Sequence, residues 1–191
     1  MKKILSFAIV LMALSSCKKD KDGFVPTTVK SSGGYLEYKQ ADGENNTNWY
    51  SIKAMDGSTT KGISNNPDYD ASVVFAYYHQ NDTYGLYSPD NYPVELGQKN
   101  WNIRLPVSFR KTNITADQMQ QYRDQYKDGF PVNLILDIWK KGINENKSIT
   151  PVQEGETYAY RTPDGKITGL IQIQNINTFY DYIQFEVWVA Q

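Results

Sequence analysis

A chain of 191 residues has room for one domain, and with 40% hydrophobic and 14% aromatic residues it carries enough apolar surface for a sizeable core, which excludes disorder along its whole length. Twenty basic against 21 acidic residues give a formal charge of −1, which leaves no electrostatic footprint for nucleic acid and no basic face for anionic lipid. Tyrosine is over-used, with 15 against 7 phenylalanines; its ring packs while its hydroxyl stays wet, which suits half-buried strands and contact surfaces.

Lys2 and Lys3 form a basic start, Ile4 to Leu14 an apolar middle, and Leu14-Ser15-Ser16-Cys17 a small-residue end. The apolar run is shorter than the roughly 20 residues that span a bilayer and has the layout of a secretory signal. Its last four residues resemble the bacterial lipobox. That resemblance implies cleavage before Cys17, acylation of the Cys17 thiol and of the new amino terminus with fatty acids such as palmitate, and a mature lipoprotein held at a membrane. Residues 1–16 are then a signal peptide, residues 17–32 a lipidated flexible tether and residues 33–191 a single β-rich domain. Loss of Lys2 and Lys3 leaves 18 basic against 21 acidic residues, a charge of −3. Cys17 is the only cysteine, so no intramolecular disulfide is available and no thiol remains for catalysis or zinc. Several acyl chains, at about 0.8 kcal/mol per buried methylene, make a lasting anchor. The run Lys18-Lys19-Asp20-Lys21-Asp22-Gly23 reads as a solvated tether, and Phe24 to Ser32 continues without clear periodicity. The charged run resembles the export tag of surface lipoproteins in Bacteroidetes-type bacteria, which implies an outer-membrane, outward-facing location.

From residue 33 apolar residues alternate in short runs. Leu36 and Tyr38 oppose Tyr35, Glu37 and Lys39; Tyr50, Ile52 and Ala54 repeat the pattern; Val73, Phe75 and Tyr77 oppose Val74, Ala76 and Tyr78. Trp101, Ile103, Leu105, Val107 and Phe109 alternate over ten residues and predict a half-buried strand, which Pro106 confines to an edge or a bulge. Thr115-Ala116-Asp117-Gln118 fits a capping box, Ile114 and Met119 a hydrophobic staple, and Gly129 with Pro131 a stop; together they predict a helix over 116–128. Val132 to Trp139 is nearly all apolar and reads as a central strand. Thr157 to Arg161, the turn residues Pro163-Asp164-Gly165 and Lys166 to Gln174 read as a hairpin. A last strand follows, with Ile183, Phe185, Val187 and Val189 inward and Tyr182, Gln184, Glu186 and Trp188 outward. These elements predict an all-β fold, an antiparallel sandwich or curled sheet, with one inserted α-helix.

Signals for chemistry are sparse. His79 is the single histidine; no G-x-S-x-G elbow accompanies it, and zinc needs three or four ligands. Ser58-Thr59-Thr60-Lys61 matches an S-x-x-K pattern but lacks its companion motifs and a helix onset. Asn65, Asn66, Asp68 and Asp70 offer oxygens for calcium, yet the same residues are ordinary turn chemistry. A glycosidase needs only two carboxylates at a set separation, and no pair stands out. The densest unusual patch is Tyr77, Tyr78, Tyr84, Tyr87 and Tyr92 among Asn81, Asp82, Ser88 and Asn91, with His79 beside it and Trp49-Tyr50 as a second candidate. Rings flanked by amides and carboxylates suit sugars, and packing of the same rings on a sheet is the competing reading.

The stretch Tyr158-Ala159-Tyr160-Arg161-Thr162-Pro163-Asp164-Gly165-Lys166, then Gly169-Leu170-Ile171 and the strand Ile183 to Val189, resembles the end of many small Bacteroidetes lipoproteins of unknown function. Tyr69-Asp70 through Phe75, Tyr87-Ser88-Pro89 and Trp101 are similar to them in order. A similar ending occurs in HmuY-type haem-binding lipoproteins, which hold haem iron with paired His or Met side chains; here His79, Met55 and Met119 are on offer. Three readings stay open: a non-catalytic module binding an extracellular ligand such as a glycan, a haem-binding lipoprotein, and a small hydrolase. An envelope protein as partner, with a structural role, is compatible with the first.

Overall fold

In the computed structural model, which describes residues 25–81 and 83–191, the chain begins with β1 (Val29–Glu37), β2 (Trp49–Ser51), β3 (Asp56–Ser58), helices α1 (Thr60–Ser64) and α2 (Pro67–Asp70), β4 (Val73–Gln80) and β5 (Thr83–Tyr87). It continues through β6 (Ser108–Lys111), helices α3 (Ala116–Gln125) and α4 (Val132–Lys141), β7 (Ile143–Asn146), β8 (Ser148–Ile149), β9 (Thr157–Arg161), β10 (Thr168–Asn177) and β11 (Tyr182–Ala190). The signal segment, Cys17, the first part of the tether and Asp82 lie outside the described residues. Two antiparallel sheets result, one in the order β1-β11-β10-β9-β6-β7 and one in the order β3-β2-β4-β5-β8. The fold is a β-sandwich with helices on its flanks, as the alternating runs predict.

The sheets meet through an aromatic core. Phe75 on β4 stacks on Tyr50 of β2 at 4.7 Å and meets Phe185 of β11 and Tyr160 of β9 edge-on at 5.8 and 5.7 Å. Leu36, Tyr77, Leu86, Phe109, Tyr158, Ile171, Ile173, Ile183 and Val187 complete it, all essentially without solvent contact. Each such side chain contributes roughly 1.5–3 kcal/mol relative to exposure. A second cluster on the outside of the larger sheet joins Met119 of α3 and Ile135, Ile138 and Trp139 of α4 to Ala159, Leu170, Trp188 and Ala190. A third, on the outside of the smaller sheet, packs Ile63 and Trp101 on Trp49, Val73 and Ala76.

The helix at 116 forms as its capping box dictates: Thr115 Oγ1 accepts from the Gln118 amide at 3.2 Å and Gln118 Oε1 accepts from the Thr115 amide at 3.0 Å. It ends at Gln125, three residues before the expected stop. Val132 to Trp139 is the clear departure, a helix instead of a central strand. Its buried positions Ile135, Ile138 and Trp139 follow i, i+3, i+4 spacing, and the polar residues Asn133, Asp137, Lys140 and Lys141 share the outer face. Lys140 and Lys141 also complement the dipole at the helix C-terminus. The apolar run hid a helical period because Leu134 and Leu136 fill its flanks.

The ten-residue strand expected from Trp101 is reduced to Ser108–Lys111. Its first amides are captured by side chains instead of a ladder: Asn102 and Ile103 N–H donate to Asp70 Oδ2 at 2.7 and 3.2 Å, and Val107 N–H donates to Ser88 Oγ at 2.8 Å. Pro106 has no donor to offer. Residues 29–32, expected in the tether, pair with β11 instead. A helix onset does occur in the Ser58–Lys61 segment, contrary to expectation. Thr59 caps α1 by accepting from Gly62 N–H at 2.9 Å, while Ser58 stays on β3 and Lys61 is exposed.

Gly169 shows how tightly the core is closed. It faces Tyr160 across the β9–β10 ladder, and a Cβ there would lie 2.2 Å from the Tyr160 ring, which is fully buried and cannot swing aside. Gly169→Ala should therefore cost about 1–3 kcal/mol by overpacking and lower the melting temperature by several degrees. A thermal denaturation curve within a degree of the parent would show that the ring does not cross this position.

Candidate ligand-binding face

The aromatic residues favoured by the sequence are mostly core. Trp49, Tyr50 and Tyr77 have no exposure, Tyr78 and Tyr84 have 7% and 8%, and Tyr87 and Tyr92 are half-buried. Several phenols and the indole bond inward: Trp49 Nε1 donates to Thr60 Oγ1 at 2.8 Å, Tyr50 Oη shares a hydrogen bond with Ser32 Oγ at 2.8 Å, and Tyr92 Oη donates to the Tyr77 carbonyl at 2.9 Å while accepting from Asn48 Nδ2 at 2.6 Å. Trp49, Tyr50, Tyr77, Tyr78 and Tyr84 are buried and offer no platform for a sugar, which leaves only the half-buried Tyr87 and Tyr92 of the expected patch in appreciable contact with solvent.

His79 is half-buried, its ring stacked on Tyr84 at 4.4 Å and its Nδ1 3.0 Å from Asp181 Oδ1. It borders a depression of about 260 Å³ with Tyr38, Gln40, Gln80, Asn81 and Asp181, a polar lining unsuited to a porphyrin. The other candidate haem ligands are elsewhere, Met119 buried beneath the helices and Met55 in contact with the Tyr50 hydroxyl at 3.7 Å. The proposed calcium loop is a helix turn, in which the Asp70 carboxylate is 3% exposed and holds the amides of Ala71, Asn102 and Ile103. Among the described residues, no three His, Cys, Asp or Glu side chains converge on a point where a metal ion could sit.

The exposed aromatics lie at the tip of the β10–β11 hairpin and on the neighbouring edge strand. Phe179 is 82%, Tyr180 55% and Tyr35 53% exposed, and Tyr182 is half-buried between them. The four rings form a chain: Phe179 edge-on to Tyr180 at 4.7 Å, Tyr180 nearly parallel to Tyr182 at 6.5 Å, Tyr182 edge-on to Tyr35 at 5.2 Å. The tip is fixed by local polar bonds. Asn177 Oδ1 accepts from the Phe179 and Tyr180 amides at 3.1 and 3.0 Å, and its Nδ2 donates to Tyr182 Oη at 3.3 Å. Asp181, at φ 55°, accepts through its carbonyl from Tyr38 N–H at 3.1 Å and meets His79 through its carboxylate. His79 therefore braces the tip.

This ridge opens onto the part of the larger sheet that α3 and α4 leave uncovered. Tyr182, Gln184 and Glu186 point outward from β11, beside Gln172 and the bulged Gln174 of β10. Arg123 of α3 reaches over from the helix side, its Nε and Nη2 donating to Glu186 Oε2 at 3.1 and 2.7 Å and its Nη2 also to Gln172 Oε1. Gln174 Nε2 donates to the same Glu186 oxygen at 3.2 Å. The depression between α3 and these strands holds about 420 Å³. Of the bordering carboxylates, Glu186 is neutralised by Arg123, Glu37 by Lys39, and Glu154 accepts from the Ile176 amide at 2.7 Å. The face thus combines stacked rings with amide side chains, and of these three carboxylates only Glu154 has no cationic partner among the described residues. One signal could have revealed it: Phe179-Tyr180 stand between Asn177-Thr178 and Asp181, an aromatic pair in a polar turn where the fold has no use for it.

No family model and no curated protein matches the chain. In overall shape it is similar to the crystal structure of a DUF4466 family protein from Parabacteroides merdae, with a TM-score of 0.60 and 13% sequence identity. The superposition covers 86% of this chain and 54% of that one, so the chain spans about half the length of its structural neighbour. At this identity the likeness establishes the fold.

Core and surface tyrosines should separate on titration. Burial pushes Tyr50 up to about 12 and carries Tyr77, Tyr92, Tyr158 and Tyr160 still further above tyrosine's ordinary value. The unfolded chain loses these protons near pH 10 while the folded chain keeps them, so their stabilisation is complete below that pH and is lost as the pH rises towards the folded values. Phenolate absorbance should rise first without them, then in a second step coincident with loss of near-ultraviolet dichroism. One smooth titration of all fifteen tyrosines with tertiary structure intact would contradict the burial.

Proposed function

We propose that the protein is a non-catalytic, lipid-anchored module of the bacterial outer membrane that binds an extracellular glycan on the outer face of β1, β11 and β10. The observation that carries this reading is the contact chain of Tyr35, Tyr182, Tyr180 and Phe179, which runs from the edge strand β1 to a hairpin tip braced by the hydrogen bonds of Asn177 and Asp181. Sugar rings present C–H faces to aromatic rings, and their hydroxyls need the donor–acceptor pairs that Gln174 and Gln184 supply. A site built on strands is held more precisely than one on a loose loop. With Glu186 and Glu37 paired and Glu154 left negative, the face favours neutral sugars over acidic ones.

Attachment in this reading rests on lipid at Cys17, since no helix among the described residues is long and apolar enough to cross a membrane. Cys17→Ser should abolish incorporation of radiolabelled palmitate and release the protein from the membrane fraction. Labelling that persists in this variant would remove the lipoprotein assignment.

For the binding face, Phe179→Ala combined with Tyr180→Ala should lower affinity for a bound polysaccharide by tenfold or more in affinity electrophoresis. Its melting temperature should stay near the parent value, as surface substitutions usually cost within ~0.5 kcal/mol. Tyr77→Ala, by contrast, should destabilise the fold, with any loss of binding following from unfolding. Absence of binding across a panel of neutral polysaccharides, or binding indifferent to the double substitution, would refute the glycan reading.

A further inference from the structure

At the other end of the strands, a pocket of about 270 Å³ lies between the C-terminus of α4 and the β9–β6–β7 edge. Two arginines face it. Arg110 is fully committed: Nε and Nη2 donate to Glu145 Oε2 at 3.1 and 2.6 Å, Nη1 donates to the Trp139 carbonyl at 3.1 Å, and its guanidinium lies over the Trp139 ring at 4.4 Å. Arg161 has no such commitment. Its side chain makes no hydrogen bond or ion pair among the described residues, and its Nε is buried without an acceptor. Packing fixes it all the same, because its guanidinium lies against Gly165, where a Cβ would fall 2.4 Å from Nη2; Gly165 itself sits at φ 70° in the Pro163-Asp164-Gly165 turn.

We propose that this pocket is an oxyanion-binding site, in which Arg161 supplies the free fork and Arg110, Trp139 and Ser108 shape the wall. Buried donors are seldom left without partners in folded proteins, and a guanidinium fork matches the paired oxygens of a carboxylate, sulfate or phosphate. Two arginines against the single carboxylate of Glu145 leave the pocket with one positive charge in excess. Arg110 beside Glu145, with the Ser108 hydroxyl and Arg161 contributing, holds that carboxyl below the usual carboxylate range. Glu145 is therefore ionised and occupied at neutral pH, which leaves the Arg161 fork for a ligand. The site is independent of the aromatic ridge: Arg161 pairs with Thr168 at the start of β10, whereas Asn177 ends that strand.

Calorimetric titration at constant ionic strength, with chloride as the balancing anion, tests this using inorganic sulfate, inorganic phosphate and D-glucuronate. At least one should bind the wild-type protein, and Arg161→Gln should weaken it tenfold or more. Arg161→Lys, which keeps the charge and the packing stem but loses the fork, should fall between the two. The Phe179→Ala/Tyr180→Ala variant should bind like wild type, which separates this site from the glycan face. Glucuronate binding more tightly than both inorganic anions would identify a sugar acid, and the reverse order a free or esterified sulfate or phosphate. No heat with any of the three at millimolar concentration, or equal affinity in Arg161→Gln that is folded by its melting curve, would overturn the proposal.

Discussion

The alternation of side chains along β11 is the constraint on which the structure turns. A strand sends successive residues to opposite faces, and in β11 one face, Ile183, Phe185, Val187 and Val189, is entirely core. The other face changes character along its length. Trp188 and Ala190 lie beneath the helices, with Phe130 stacked on Trp188 at 4.7 Å, while Glu186, Gln184 and Tyr182 emerge into the open. Since β1 and β10 both pair with this strand over nearly its full length, the same partition is imposed on them. A slip of one residue would place Glu186 in the core and Phe185 in water, so the inner face fixes the register and with it the outer arrangement of rings and amides.

Polar side chains play a second organising part, standing in for backbone ladders where the chain leaves the sheets. Asp70 takes the amides of Asn102 and Ile103, Ser88 takes that of Val107 and donates to Asp90 Oδ1 at 2.5 Å, and Lys147 closes on Asp90. Buried amides without partners cost about 1–3 kcal/mol each, so these few residues hold down a segment that would otherwise need a strand of its own. The tyrosine-rich core works in the same way. Tyr50 and Tyr92 contribute ring area to the interior and bond through their hydroxyls to Ser32 and the Tyr77 carbonyl, whereas the buried hydroxyls of Tyr77 and Tyr160 find no partner among the described residues.

This explains which parts of the fold were legible. Period-two runs such as Ile183–Val189, the capping box at Thr115 and the turn at Pro163-Asp164-Gly165 are local signals, and each formed where its residues indicated, although the helix stops at Gln125. Val132 to Trp139 misled because a nearly continuous apolar run carries no period on its apolar positions alone; the i, i+4 spacing of Asn133 and Asp137 held the information. Trp101 to Val107 misled because its alternation is real but its amides are claimed by Asp70 and Ser88, partners distant in sequence. The tyrosine patch failed for a related reason. Composition cannot tell a ring that stacks on a ligand from one that stacks on Tyr84 or Trp49, and only the sandwich decides which tyrosines end up inside. Phe179 and Tyr180 lie in a polar turn outside every periodic run, and their lack of any role in the core is what makes them informative.

The topology also orients the two candidate sites with respect to the proposed anchor. The described chain enters β1 at Val29, which pairs with Ala190 at the end of β11, the same end that carries Thr168 and Arg161. The aromatic tip lies at the opposite end, nine residues of β11 away, or roughly 30 Å at about 3.3 Å per residue. Between Cys17 and Val29 the chain has a maximum reach of about 40 Å, longer than that separation. A lipid at Cys17 would tether the domain by the end that carries Arg161 without fixing which end faces the membrane. The two sites lie at opposite ends of β10 and β11 and share no residue, so a ligand at one leaves the side chains of the other in place.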